Sequence, residues 1–431
     1  MKSVSDITVL VHDSGLFLPF ARRMAEQAKR VIWYNPDRRS FPSLKQGCIG
    51  DGFEDIEITL DFWPLLNEID LVCFPDIGHS GLQLHLEEIG KPVWGSRRGD
   101  SIEINREKFL GMLKDAGLDV PEYTVVVGLE SLRDHLIDLE DQYIKVSRWR
   151  GDMETTHWRN WAMDQGWLDW LAVNLGPCKE HVRFLVFPAI DTPLEIGGDT
   201  YGVDGNWPEI MLSGIESKDT TYFGAVTERK KMPEQINAIL EAFSPFLAKN
   251  RYRNQWSMEV RVKDDLAFFI DATCRGGMPS SASQQLLWEN FAEIVWAGSN
   301  GEIVDPVPTA KFSIEAMVTT KTGKDCWDIV QIPKSLERVV RFSNCAFMDG
   351  CYVFPPDENH SGELGWLCAI GDTPRQTLEA AKGLADQLPD GCDANIENLV
   401  GLIKEIDEAE KQNIPLTTEP MPEPAEVITD E

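Results

Sequence analysis

Positive charge is scarce in this sequence of 431 residues: 41 Lys and Arg stand against 71 Asp and Glu, a formal charge of −30. A field of that sign repels phosphate backbones and anionic lipid, which argues against nonspecific binding to DNA, RNA or a membrane surface. A nucleotide still binds where local cations outweigh the global field. Long apolar runs are missing as well; none approaches the roughly 20 residues that span a bilayer. The segment Met1 to Asp6 lacks a basic n-region followed by an apolar core and a small-residue cleavage site, so the expectation is a soluble, cytoplasmic protein. The nine cysteines are scattered and contain no Cys-x-x-Cys pair, which speaks against a zinc site or a disulfide framework and for reduced thiols used as small core residues. No Ser-His-Asp or Cys-His signature of a nucleophilic enzyme is visible, and His12-Asp-Ser-Gly15 is no G-x-G-x-x-G, so Gly15 reads more readily as an ordinary turn than as a phosphate contact.

What is present is an alternation of strands and helices. Ile7 to Val11, Arg30 to Tyr34, Asp70 to Phe74 and Pro92 to Trp94 read as strands, with a helical pattern from Leu18 to Lys29. That βαβ order predicts a parallel, doubly wound sheet. A helix from Asn105 to Gly117, a strand from Thr124 to Val127, a helix from Leu129 to Leu139 and a strand Tyr143 to Val146 follow, then a polar loop from Ser147 to His157. Further on come strands at Arg183 to Phe187 and Leu194 to Gly197, a helix Pro233 to Leu247, and a hairpin of Trp256 to Val262 with Leu266 to Asp271. The length exceeds one hydrophobic core. Four segments are expected: 1–98, 99–305, 306–411 with strands around Gly365 and a helix Thr373 to Leu388, and a disordered acidic tail 412–431, which holds no Lys or Arg.

The hairpin is the sharpest constellation. Glu259 and Asp271 sit near one another on paired strands, and two carboxylates on rigid strands suit magnesium; equally, Glu259 could pair with Arg261 or Lys263 on an exposed face. Lys145, flanked by Ile144 and Val146, either reaches solvent along its stem or meets an anion such as phosphate.

The order of these segments resembles the ATP-grasp superfamily over about residues 1 to 390, and within it phosphoribosylamine-glycine ligase. The resemblance rests on Pro92-Val-Trp-Gly-Ser96, Arg106-Glu-Lys108-Phe-Leu, Ala116-Gly-Leu-Asp-Val-Pro121, Lys145 before a loop, Leu185-Val-Phe-Pro188, and Asp271-Ala-Thr-Cys-Arg275 in place of Glu-x-Asn-x-Arg. It implies an α/β ATP-grasp fold with an N-terminal doubly wound parallel-sheet domain, a two-lobed nucleotide domain and a small C-terminal α+β domain. By that likeness Lys108 and Lys145 contact ATP phosphates, joined by Arg148 and Arg150 of the loop. Leu185, Val186, Phe187 and Pro188 form the adenine hinge, with Glu195 on the next strand. Glu259, Asp271 and Thr273 hold magnesium. Lys145, Asp271 and Arg275 form the catalytic group, while Asp76, His79, Lys218 and Arg275 face the acceptors. The implied activity is a magnesium-dependent carboxylate-amine ligase acting on small molecules through an acyl phosphate; a homodimer is compatible with it. Three departures define the alternative, a noncatalytic homologue that still binds nucleotide: Asp at 271 for Glu, Thr at 273 for Asn, and one glycine in the loop 147–157 where the family has several.

Overall fold

The computed structural model describes residues 1–36, 46–147, 155–190, 192, 195–217, 220–263, 266–322, 326–356, 362–411 and 414. They divide into two units: Met1–Asp100, Leu194–Glu259 and Ala272–Glu431 make the first, Ser101–Pro193 and Val260–Asp271 the second.

The first unit opens with β1 (Thr8–His12), α1 (Leu18–Ala25), β2 (Arg30–Tyr34), β3 (Glu57–Thr59), β4 (Leu71–Cys73), α2 (Ser80–Glu88) and β5 (Val93–Trp94). The strands lie in the order β3-β2-β1-β4-β5, every pair parallel. Their near-continuous apolar sequences follow from burial on both faces: Val9 and Val11 enter one core with Phe20, while Leu10, Ile32 and Val72 enter another with Leu86. The order reverses direction at β1 and β4, so the crevice beyond their carboxyl ends is where such a sheet takes a ligand. Gly15, just past β1, has φ +132°, and a Cβ on it would lie 2.5 Å from Asn344 Oδ1. Packing therefore accounts for that glycine.

The second unit holds α3 (Ser101–Ile104), α4 (Arg106–Asp115), β6 (Thr124–Val127), α5 (Leu129–Leu136), β7 (Gln142–Val146), β8 (Thr155–Trp158), α6 (Trp161–Leu175) and β9 (Arg183–Pro188). Its antiparallel sheet runs β6-β9-β7-β8, and Ile144, Trp158, Leu168 and Phe184 make its core. The polar stretch expected as a loop up to His157 ends instead in β8, because Thr155, Thr156 and Trp158 pair with β7 and bury the Trp158 indole.

After the second unit's first segment come β10 (Glu195–Val203), β11 (Ile210–Ser217), β12 (Thr221–Glu228) and α7 (Glu234–Lys249) of the first unit, β13 (Arg253–Lys263) and β14 (Leu266–Thr273), whose residues Val260–Asp271 belong to the second unit, and then α8 (Ser281–Leu287), α9 (Phe291–Ser299) and β15 (Phe312–Thr320) of the first. Then come β16 (Asp328–Val330), β17 (Val340–Phe342), β18 (Ala346–Met348), β19 (Cys351–Phe354), β20 (Glu363–Gly371), α10 (Pro374–Ala385), β21 (Cys392–Asp393) and α11 (Leu399–Lys411). The expected boundary at 305 falls inside this unit, since β12 pairs β15 and β15 pairs β20 in one continuous sheet. Of the expected tail, Ile414 is buried and its N–H donates to Ala409 O at 2.9 Å, so the sequence has one apolar anchor past α11; the rest of the tail lies outside the described residues. Among the described residues no helix is long and apolar enough to cross a membrane. All nine thiols are free, but only Cys73, Cys274, Cys345 and Cys368 are buried, which corrects the reading of every cysteine as a core residue.

One face of this sheet is polar where α8 covers it. Gly214 and Gly224 make room for the Tyr222 ring, which a Cβ on Gly214 would meet at 2.4 Å, and the Tyr222 hydroxyl donates to Asp199 Oδ2 at 2.7 Å. Glu315 accepts the Ser283 N–H at 2.5 Å. Burial pushes the Asp199 carboxyl up, and pushes Glu315 up to about 7. A carboxyl raised above its unfolded value of roughly 4.3 favours folding fully below that pH and loses the contribution as pH climbs through 7. Relative to Glu315→Gln, the wild-type chain should therefore lose on the order of 2–3 kcal/mol of stability between about pH 4.5 and 7.5. Urea unfolding of both proteins across that range checks it; parallel curves would mean that Glu315 is ionised in the fold throughout.

Candidate functional site

In the second unit the functional side chains gather around one carboxylate. Lys145 sits on β7 between Ile144 and Val146, both buried, and is itself 7% exposed. Its stem has no route to water, so the ammonium meets an anion: Nζ donates to Asp271 Oδ2 at 2.7 Å. The other Asp271 oxygen accepts Arg106 Nη1. Arg106 is the first residue of α4, which starts because the Asn105 side chain caps it by accepting Lys108 N–H at 3.2 Å. The buried Arg106 therefore faces inward, while Lys108, two residues on, is exposed and donates to Ser101 Oγ at 2.5 Å. Burial works against the Asp271 charge, but Arg106 and Lys145 together overcome it and hold the carboxyl well below the usual range. Two buried cations thus converge on one carboxylate.

Strand β9, which carries the segment expected as the adenine hinge, lies between β6 and β7, with Leu185 opposite Lys145. Leu185 and Val186 are paired on both sides, so the sheet uses their backbone groups. Phe187 and Pro188 extend past the last β6 partner, Thr124, and pair only with β7. Arg148, Arg150 and Lys218 lie outside the described residues.

The first unit builds a different constellation at the β1/β4 crevice. His12, the last residue of β1, is buried and stacks at 4.4 Å from His79, just ahead of α2, and at 4.9 Å from Phe74. Burial, with His79 alongside, lowers its pKa to about 3, so the ring is neutral at pH 7; its Nδ1 has no hydrogen-bond partner. Asp13 accepts the N–H groups of Gly15 and Phe17 at 2.8 and 3.1 Å, and burial pushes it up to about 7. Asn254 ties this crevice to the segment after β14: its amide donates to Phe74 O at 3.3 Å and to Cys274 O at 3.5 Å. Arg275 is thereby held with Nε 3.7 Å from Asp76 Oδ1. Asp76, His79 and Arg275 converge. Glu259 and Thr273 are half-buried on β13 and β14, and Glu195 starts β10.

The sequence reading passed over Arg106, His12 and Asn254. Arg106 had a signal, its place at the first helical position after an Asn cap; His12 had one in ending the first strand. Asn254 had none, because its partners lie as far as 180 residues away.

No family model and no curated protein matches the sequence. Solved structures do. Phosphoribosylamine-glycine ligase from Thermotoga maritima superposes with a TM-score of 0.66 at 14% identity over 90% of this chain and 98% of that one. The biotin carboxylase domain dimer of Hydrogenobacter thermophilus 2-oxoglutarate carboxylase, in complex with MgADP, ADP and bicarbonate, gives 0.63 at 12% identity over 96% of each. L-amino acid ligase from Bacillus licheniformis gives 0.59 at 14% over 89% and 98%. The chain has the ATP-grasp fold. At these identities the likeness is one of fold, and function is argued from the residues.

Within this ATP-grasp chain the Asp271 cluster has a measurable consequence. Asp271→Asn removes the carboxylate that both buried cations meet, which costs about 3 kcal/mol. Because the native carboxyl is depressed, its contribution is fully present above the unfolded pKa of about 3.9 and is lost as pH falls from there through the lower folded value. Wild type and variant should differ by that amount in denaturant at pH 7, and the gap should begin to narrow only below about pH 4; equal stability at pH 7 would show that the carboxylate contributes nothing net.

Proposed function

We propose that the protein is a magnesium-dependent ligase that activates a small carboxylate with ATP and joins it to an amine. The observation that carries this reading is the convergence of two buried cations, Lys145 and Arg106, with a strand carboxylate at Asp271, because buried ammonium and guanidinium groups beside a metal-competent carboxylate suit a metal-bound polyphosphate. Lys145 and Arg106, with Lys108 nearby on α4, would take the ATP phosphates. The backbone at Phe187 and Pro188, past the β6 pairing, would take the adenine, together with Glu195.

The donor set also fits magnesium. Among the described residues no three His, Cys, Asp or Glu side chains form a protein-only metal cage, and magnesium commonly takes one or two carboxylates and fills its shell with phosphate oxygens and water. Glu259, Asp271 and Thr273 would hold it, and it would neutralise charge on the phosphoryl oxygens. Both Asp271 oxygens accept from cations, so a metal taken by Asp271 would leave Lys145 and Arg106 to the phosphates.

The substrate carboxylate attacks the γ-phosphorus, the bond to ADP breaks, and an acyl phosphate forms. An amine then attacks the acyl carbon, phosphate leaves, and the amine proton passes to solvent or to phosphate. Lys145 and Arg106 stabilise charge on the transferring group, and positioning supplies most of the remainder. Arg275 orients an anionic acceptor or the acyl phosphate, with Asp76 and His79 beside it. L-amino acid ligase, one of the structures similar in fold, bears a name of this reaction class. A noncatalytic homologue remains the second reading, favoured by Thr273 in the metal position.

Calorimetry should detect ATP or ADP only with magnesium, and Lys145→Ala should weaken it by about 1.5–3 kcal/mol, the range for a charged hydrogen bond; binding without such a loss removes Lys145 from the phosphate site. An ADP-release screen with carboxylates and amines supplied in pairs tests turnover. In an active ligase Asp271→Asn nearly abolishes ADP release while Thr273→Asn changes it only modestly, since water can complete the metal shell. Turnover indifferent to Asp271→Asn overturns the catalytic assignment.

A further inference from the structure

A cleft of about 600 Å³ opens in the first unit, away from Arg275, and is walled by four arginines: Arg22 and Arg23 from α1, Arg338 just before β17, and Arg341 on it. That volume suits a small molecule. We propose that this cleft binds a small polyanion, a phosphate-bearing or multiply carboxylated metabolite, through Arg23, Arg338 and Arg341. The inference does not depend on the ligase reading.

The wall also carries four acids, Glu26, Asp55, Glu289 and Glu337, but they are not distributed one to each arginine. Arg22 is satisfied, with Nε 2.8 Å from Asp55 Oδ2 and its guanidinium over the Phe53 ring. Arg23 is clamped in place by main-chain carbonyls, donating to Gln285 O at 2.7 Å and Trp288 O at 2.9 Å, and pairs with Glu26 at 3.0 Å. Carbonyls fix its geometry without cancelling its charge. Arg341 is 8% exposed, its Nε has no hydrogen-bond partner, and its nearest carboxylate, again Glu26, stands at 3.9 Å, beyond hydrogen-bond reach. Arg338 is also 3.9 Å from Glu26. Three guanidinium groups thus share one carboxylate. Glu289 and Glu337, the other acids of the wall, are exposed, where water and salt screen them.

A buried guanidinium without a hydrogen-bonded anion is costly, and its planar fork matches carboxylate and phosphate oxygens. A ligand with two or more negative charges would satisfy Arg341 and supply Arg23 and Arg338 with oxygens that the shared Glu26 does not give them. Arg341 and Gln285 also line a small internal cavity, with room for about one water, that reaches Gly277, Met278 and Glu315. Filling the cleft therefore bears on the segment directly after Arg275.

Titration calorimetry on the full chain, with inorganic phosphate and with citrate as separate probes and no nucleotide present, tests this. At least one probe should bind, and which one does identifies phosphate or carboxylate chemistry. Arg338→Ala, exposed and safe for folding, should weaken binding about tenfold, whereas Glu26→Gln, which removes the competing carboxylate, should tighten it about tenfold. A double variant, Arg338→Ala with Arg341→Gln, should abolish binding if it folds. Absence of binding by both probes at about 10 mM, or affinities unmoved in both single variants, overturns the proposal.

Discussion

Lys145 and Arg106 are both buried, and both depend on the same carboxylate. Taking two cations out of water is expensive, and one Asp271 side chain with two oxygens repays only part of that cost. The arrangement persists because each charge is hydrogen-bonded and because each cation is fixed by an element with other reasons to exist: β7 by its apolar neighbours, α4 by its Asn cap. Two cations and a carboxylate are thereby held within hydrogen-bond distance of one another on a helix and two strands.

The first unit handles buried charge in the opposite way. There Asp13, Asp199, Glu315 and His12 are each pushed toward the neutral form by burial, although buried arginines of the same unit, Arg97 among them, keep carboxylate partners. Neutral partners complete the job, through backbone N–H groups for Asp13 and Glu315 and the Tyr222 hydroxyl for Asp199. These groups set how the first unit responds to pH, whereas the second unit's cluster stays ionised. Arg275 differs from these groups in having a carboxylate, Asp76, within 3.7 Å.

The parallel sheet was readable because βαβ order and uninterrupted apolar strands admit few topologies. Lys145 was readable because a cation between two core residues must have a partner. Less was legible where distant segments meet. Arg106 and Lys108 are both basic and two residues apart, and only the phase of α4 decides which faces Asp271. The strand β8 was hidden because Thr-Thr-His-Trp carries little β signal until β7 supplies an edge. The continuity of β12, β15 and β20 joins segments separated by more than eighty residues, and composition does not change there. Arg341 gave no signal either, since its neighbours come from α1 and α8.

The spacing Asp271-x-Thr273-x-Arg275 has a simple mechanical source. Side chains alternate across a strand with a period of two, and the burial follows: Asp271, Thr273 and Arg275 are half-buried while Ala272 and Cys274 are fully buried on the other side. Asp271 and Thr273, the last polar residues of β14, are therefore presented to one face of that strand, with Ala272 buried on the other. Substitution at 273 changes the side-chain oxygen but not the face from which it is presented, so Thr stands there without turning Asp271 away from Lys145. Arg275 lies past the end of β14, and its place is set instead by the segment that Asn254 holds at Cys274.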